Sequence, residues 1–268
     1  MNSNCFAGLG QVNIELTSRC NKKCWMCGRR EREKLYGDQN YGDIDFDLLG
    51  LIAEELPSGI VVALHNNGEP MLYPRLGEAI QLFENQTTYF VTNGLLLSKK
   101  ANEIIDNLDI VSVSIIENEI PEVANKQYDE IVDFLIMKGD KPPRLVLRFV
   151  GKADVERYKD FDVTKVYRTL HLPKGSIGYR KSPTIPEHGI CQDLLNRLAI
   201  DRFGNVSVCV RFDPEGELVL GNIVDTELEA MWYGEKRQEI LRKHIEGKRK
   251  ELSFCGSKCE FYGVPTSD

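Results

Sequence analysis

Two rhythms of apolar and polar residues alternate along the first 170 positions. QVNIELT (11–17) alternates apolar and polar side chains and predicts a strand. In DFDLLGLIAEEL (45–56), Leu49, Ile52, Ala53 and Leu56 fall on one helical face, with Asp43 or Asp45 available as the N-cap. GIVVALHNN (59–67) predicts a buried strand, LGEAIQLF (76–83) a helix, and TTYFVTNG (87–94) a strand closed by Asn-Gly. DIVSVSII (109–116) is a fourth strand; Tyr128, Ile131, Val132, Leu135 and Ile136 then return to helical spacing. RLVLRFVG (144–151) is a fifth strand and FDVTKVYRTL (161–170) a weaker sixth. Strands alternating with helices imply parallel βαβ units, hence an open sheet or a full or partial barrel.

The texture changes at LPKGSIGYRKSPTIPEHG (172–189), rich in Pro and Gly, which reads as a linker. A hairpin-like pair follows around Gly204-Asn205, then a capped helix from Asp225. The expected organisation is a barrel domain over 1–171, a linker over 172–190 and a small domain over 191–268.

Composition adds mainly exclusions. Lys plus Arg number 34 against 41 Asp plus Glu, a net charge of −7, which gives no reason to expect nucleic-acid or membrane-surface binding. EKRQEILRKHIEGKRKE (235–251) reads as a solvated helix face. No apolar run is long enough to span a membrane, and the N-terminal residues lack a secretory pattern, so the expected location is cytoplasmic. In a reducing compartment the eight cysteines are then metal ligands or catalytic thiols rather than disulfides.

Three of them, Cys20, Cys24 and Cys27, form C-x3-C-x2-C just after the first predicted strand, at the end where α/β folds build chemistry. A structural zinc site takes four protein ligands, and a redox dithiol needs only Cys24 and Cys27. A [4Fe–4S] cluster held by three thiolates keeps one iron open. In this spacing and place the chain resembles the radical S-adenosylmethionine (SAM) enzymes. The resemblance implies a partial (β/α)6 TIM-type barrel with SAM chelated to the open iron at its C-terminal mouth. It also implies a 5′-deoxyadenosyl radical that abstracts hydrogen from a substrate.

Further motifs follow in the family's order. NNGEP (66–70) is similar to the Gly-Gly-Glu-Pro turn that binds the SAM amino group, with Asn67 in place of the first glycine and Gly68, Glu69 and Pro70 matching. Thr92 and Asn93 of TNG close the third strand, as in many members. Ser114 and Arg148 stand where members contact the SAM ribose or carboxylate. Met26 occupies the position, usually aromatic, that packs near adenine.

Cys191, Cys209, Cys255 and Cys259 form a second set, whose number suits either zinc or a [4Fe–4S] cluster. Their layout resembles the Twitch domain, a shortened SPASM domain with one auxiliary [4Fe–4S] cluster, although the last pair is C-x3-C rather than C-x2-C. The implied cofactors are thus two [4Fe–4S] clusters and SAM, with a flavodoxin or ferredoxin-type reductant. Chain length and the single auxiliary set resemble the radical SAM dehydrogenases of amino-cyclitols. That implies two-electron oxidation of a small polyol, sugar or amino-cyclitol, the auxiliary cluster accepting the electron. Crosslinking, oxidation or epimerisation of a ribosomally made peptide is the alternative enzyme reading. It is disfavoured because the first strand starts too early for an N-terminal peptide-recognition domain, and Cys5 is badly placed to return a hydrogen atom. A non-catalytic iron–sulfur or zinc adaptor is the third reading. His65 and Arg180 are the candidate catalytic residues, with Glu117, His171, Tyr179 and His188 as further candidate substrate contacts.

Overall fold

In the computed structural model, the described residues are 6–25, 27, 29, 33–34, 37, 41–168, 190–210, 213 and 216–258. Six strands appear where the alternation predicts them: β1 (Gln11–Ile14), β2 (Val61–Ala63), β3 (Thr87–Thr92), β4 (Ile110–Ile116), β5 (Arg144–Val150) and β6 (Thr164–Arg168). All pair in parallel with their sequence neighbours, and β1 pairs in parallel on its other side with β7 (Arg197–Ile200). β8 (Asn205–Ser207) and β9 (Val219–Asn222) then add antiparallel strands, so one nine-stranded sheet runs β6-β5-β4-β3-β2-β1-β7-β8-β9. The hairpin expected around Gly204-Asn205 is β7–β8, and Gly204 at its turn has φ +84°.

Strand alternation separates two chemistries. Val12 and Ile14 of β1, Val62 of β2, Phe90 of β3, Val111, Val113 and Ile115 of β4, and Leu145, Leu147 and Phe149 of β5 are buried. They share one apolar core with Leu49 and Ile52 of α1 (Phe46–Glu55), Leu76, Ala79 and Ile80 of α2 (Leu76–Gln81), Ile104 of α3 (Ala101–Ile104), and Ile131 and Phe134 of α4 (Pro121–Lys138). Each large apolar side chain buried there contributes about 1.5–3 kcal/mol. The other face of the same strands carries Gln11, Asn13, Tyr89, Ser112, Ser114, Arg148, Arg168 and Arg197, which together line one cavity. Side chains from β1 and from β3 through β7 meet there, so the sheet curls into a partial barrel with a polar lumen.

Helix caps follow the sequence in one case and depart from it in another. Asp45 caps α1 by accepting from the backbone N–H groups of Asp47 and Leu48. The helix expected from Asp225 instead begins at α6 (Leu228–Tyr233), after α5 (Gln192–Asn196); Asp225 N–H is committed to a turn at Asn222 O. Nor is the basic stretch that follows simply a solvated face. In α7 (Glu235–Ile245), Arg237 and His244 are buried, and the Arg237 guanidinium lies 3.3 Å from the Trp232 ring centroid. It donates to the carbonyls of Trp232, Leu194 and Leu195, partners that make burying an arginine affordable. Among the described residues, no helix is long and apolar enough to cross a membrane.

Candidate functional site

The chain leaves β1 through the buried residues Glu15, Leu16, Thr17 and Ser18 and turns into the three-cysteine loop. Its root is pinned from two sides. Arg19 grips Asp43 through both carboxylate oxygens, at 2.6 and 2.8 Å from Nη2, and donates to Leu72 O. Ser18 N–H donates to Gly42 O at 2.9 Å. Further along, buried Lys22 forms an ion pair with Glu119, and Trp25 Nε1–H reaches Glu117 O at 3.5 Å. The loop is thereby docked on the segment that follows β4.

Cys20, Cys24 and Cys27 are all half-buried along this loop, and Cys27 N–H donates to Cys24 O. Burial raises the Cys20 thiol above its usual range and pushes Cys24 up to about 11, so without a cation both stay protonated at neutral pH. Among the described residues, no three His, Cys, Asp or Glu side chains converge on the position of one metal ion. An iron–sulfur cluster asks for something different, one thiolate at each of several separate irons, and three half-buried thiols spread along one loop suit it. Cys191 precedes α5, Cys209 follows β8 and Cys255 lies in the turn Phe254–Lys258; each is half-buried against the common core. Met26, Cys259, Arg180, His171, Tyr179 and His188 lie outside the described residues.

The turn after β2 meets the root of the loop. Gly68 adopts φ +77°, and a Cβ there would sit 2.2 Å from Thr17 O and 2.7 Å from Arg19 O. Only glycine allows this approach. The next residue seals it: Glu69 N–H donates to Arg19 O at 2.7 Å. The Glu69 carboxylate, 2% exposed, accepts from Thr92 Oγ1 at 2.6 Å, Asn93 N–H at 2.7 Å and Met71 N–H at 3.2 Å. Burial raises its pKa and these bonds oppose the rise. Glu69 thus ties the end of β2 to the end of β3, with Pro70 opening a short 3-10 turn. Asn67 donates to Glu15 at 2.7 Å, and Asn93 donates to Asn21 in the cysteine loop at 2.7 Å. Gln127, buried on α4, donates to Asn93 O and Ser114 O and so links the ends of β3 and β4.

Beneath these strand ends lies the polar cavity, about 430 Å³ in volume. Gly68, Ser114 and Arg148 of the SAM-like motifs border it, as does His65. The His65 ring meets Tyr89 edge-on at 5.1 Å, and its Nδ1 has no hydrogen-bond partner among the described residues. Burial, with Arg148 nearby, lowers its pKa to about 3. His65 is therefore a neutral ring that accepts a hydrogen bond and a weak base. Glu117 is engaged elsewhere, accepting from Lys152 N–H at 2.6 Å. Gln11, Asn13, Tyr89, Ser112, Arg168 and Arg197 also line the cavity and were not singled out from the sequence. The signal was present: they are the polar phase of strands whose apolar phase builds the core.

Residues 191–260 match the SPASM family of iron–sulfur cluster-binding domains. Across almost its full length the chain is 22% identical to the S-adenosyl-L-methionine-dependent 2-deoxy-scyllo-inosamine dehydrogenase of Niallia circulans, covering 96% of this chain and 95% of that protein. The crystal structure of BtrN in complex with AdoMet and 2-DOIA superposes with a TM-score of 0.63 at 19% identity, covering 93% of this chain and 92% of that one. Native anSMEcpe with bound AdoMet gives 0.65 at 16% identity, covering 93% and 89%. In the order of its motifs, in its fold and in this domain match, the chain is similar to radical SAM enzymes that carry a C-terminal SPASM-type domain.

Proposed function

We propose that the protein is a radical SAM dehydrogenase that oxidises a small polyol, sugar or cyclitol by two electrons, with an auxiliary [4Fe–4S] cluster as electron acceptor. Cys20, Cys24 and Cys27 would hold the first cluster. Cys191, Cys209, Cys255 and Cys259 would hold the second. SAM would lie against the 66–70 turn, Met26, Thr92, Asn93, Ser114 and Arg148. When bound, these groups supply hydrogen-atom abstraction and electron uptake, chemistry that amino-acid side chains do not offer.

The chain's own residues bind, orient and exclude water. The observation that carries the reading is the half-open polar lumen beside Gly68, lined by amide, hydroxyl and phenol groups from Gln11, Asn13, Tyr89, Ser112 and Ser114. Such a lining matches a ligand rich in hydroxyls, because each hydroxyl both donates and accepts. His65 is suited to accept a hydrogen bond from the hydroxyl being oxidised and so orient it. With a pKa of about 3 it does not keep the proton, which passes to solvent through the half-open mouth of the lumen. Lys22, Glu119 and Trp25 hold the cysteine loop over the strand ends. A cytoplasmic site and a flavodoxin or ferredoxin-type reductant fit this chemistry.

The test is product and metal analysis of anaerobically reconstituted protein. With SAM, dithionite and a set of polyols, 5′-deoxyadenosine should form together with an equal amount of ketone. The Cys20/Cys24/Cys27→Ala variant should retain about four of about eight irons, with acid-labile sulfide falling in step. Zinc in the variant, or a modified peptide in place of a ketone, would sink the dehydrogenase reading.

A further inference from the structure

Asn93, 8% exposed, follows directly on β3, and every polar group it carries has a partner. Its backbone N–H donates to Glu69 at 2.7 Å and its carbonyl accepts from Gln127 at 2.6 Å. In the side chain, Oδ1 accepts from Leu95 N–H at 3.0 Å, which decides which end of the amide faces which way. Nδ2 therefore points at the cysteine loop, 2.7 Å from Asn21 Oδ1 and 3.9 Å from Cys20 Sγ. A side-chain amide nitrogen carries a pair of hydrogens, and here both are engaged. The side chain is committed to the loop.

Cys20 Sγ meets a second donor, Lys22 N–H, at 3.5 Å. The two donors differ in origin. Lys22 belongs to the cysteine loop itself, whereas Asn93 belongs to the barrel and is held there by Glu69, Gln127 and Leu95. Burial raises the Cys20 thiol, the Lys22 N–H opposes the rise, and the nearby Glu69 carboxylate adds to it. Donors aimed at this sulfur thus counter both the burial and the neighbouring negative charge. Hydrogen bonds to sulfur are among the features that set the potential of an iron–sulfur centre, because they favour the more negative, reduced state.

We propose that Asn93 is a positioning residue for the first cluster. It anchors Cys20 to the end of β3 and raises the cluster's reduction potential by donating to the sulfur, so its side chain serves the cluster and not SAM. This rests on Cys20, Cys24 and Cys27 holding a [4Fe–4S] cluster, as in the function proposed above, and is independent of the substrate.

The test reads the cluster, so it does not depend on turnover. Full-length wild type and variants are reconstituted anaerobically, and the electron paramagnetic resonance signal that responds to added SAM is followed through a redox titration. N93D keeps an oxygen for Leu95 N–H but puts an acceptor where the donor stood. N93A removes the amide altogether, and carries the measurement if N93D takes up no iron. N21A removes only the Asn21 partner. N93A should make reduction about threefold less favourable, about 30 mV more negative for a one-electron couple, and N93D should shift it further. N21A should keep the wild-type potential. SAM affinity per loaded cluster should stay within about twofold of wild type in all three, with circular dichroism reporting the fold.

An unchanged potential in both Asn93 variants overturns the proposal. So does an equal shift in N21A, which would make Asn93 a clamp on the loop and nothing more. A SAM affinity that falls about tenfold per cluster at unchanged potential also overturns it, and returns the side chain to the SAM site. A shifted potential with no ketone from any polyol would remove the dehydrogenase reading and leave this one standing. Wild-type protein with no SAM-responsive iron signal would remove both.

Discussion

Replacing Gly68 by alanine tests the joint between the 66–70 turn and the cysteine loop. Two costs add. The backbone at φ +77° lies in the left-handed region, where a Cβ costs about 1–2 kcal/mol. The Cβ would also stand 2.2 Å from Thr17 O, 2.7 Å from Arg19 O and 2.9 Å from Ser18 C, all backbone, so no side chain can swing aside. Separating turn from loop strains packing by about 1–3 kcal/mol and weakens the Glu69 N–H to Arg19 O bond. The total is about 2–5 kcal/mol, a fall in melting temperature of roughly 5–15 °C for a chain of this size. Gly59→Ala is the internal control: φ is +79°, yet nothing lies within 4 Å of its Cβ, so only the backbone cost of about 1–2 kcal/mol applies. Differential scanning calorimetry of the two variants, with iron content and SAM affinity measured in parallel, separates strain from conformation. G68A should lose iron and SAM binding together, and G59A neither. If the two variants melt together and G68A binds SAM like the wild type, the turn does not brace the loop as described.

Two further outcomes follow from buried groups. E69Q puts an amide where Thr92, Asn93 and Met71 all donate, so at least one donor meets another donor; the variant should lose about 2 kcal/mol by thermal melting, and a wild-type midpoint would show that the strand ends hold without the carboxylate. His244, 1% exposed with neither ring nitrogen hydrogen-bonded among the described residues, has its pKa lowered by burial to about 4. The unfolded chain therefore binds more protons between about pH 6.5 and 4, and stability present above pH 6.5 drains as pH falls, by about 2 kcal/mol at pH 5. H244F should flatten the decline in melting temperature from pH 7 to 5, and an unchanged slope would assign acid sensitivity to other groups.

Much of the barrel was legible because its strands are half-buried. The alternation in IVSVSII marks the core face of β4 through Val111, Val113 and Ile115, and Asp45 signals the start of α1 by the hydrogen bonds it makes. The motif residues at successive strand ends were legible through a family resemblance, since nothing in GEP alone says that Glu69 will reach Thr92 and Asn93. What stayed hidden depends on curvature and on long-range pairing. Arg148, Arg168 and Arg197 lie up to 49 positions apart and share a cavity only because the sheet curls. No local pattern announces that β7 will lie beside β1 rather than in a detached module. Arg237 sits in a strongly charged run, and the carbonyls of Trp232 and Leu194 that receive its guanidinium lie outside the run itself.

The pairing of β7 with β1 makes the two cysteine-bearing regions mechanically inseparable. Cutting the chain before residue 191 would strip β1 of one neighbour and leave the backbone groups of Gln11–Ile14 as an open sheet edge, just upstream of the cysteine loop. The truncated barrel would be prone to self-association, with its foremost loop hanging from an unsupported margin. Engineering that treats the C-terminal region as an exchangeable cartridge must therefore carry β7 with the barrel, and any graft has to match the register Gln11↔Arg197 through Ile14↔Ile200.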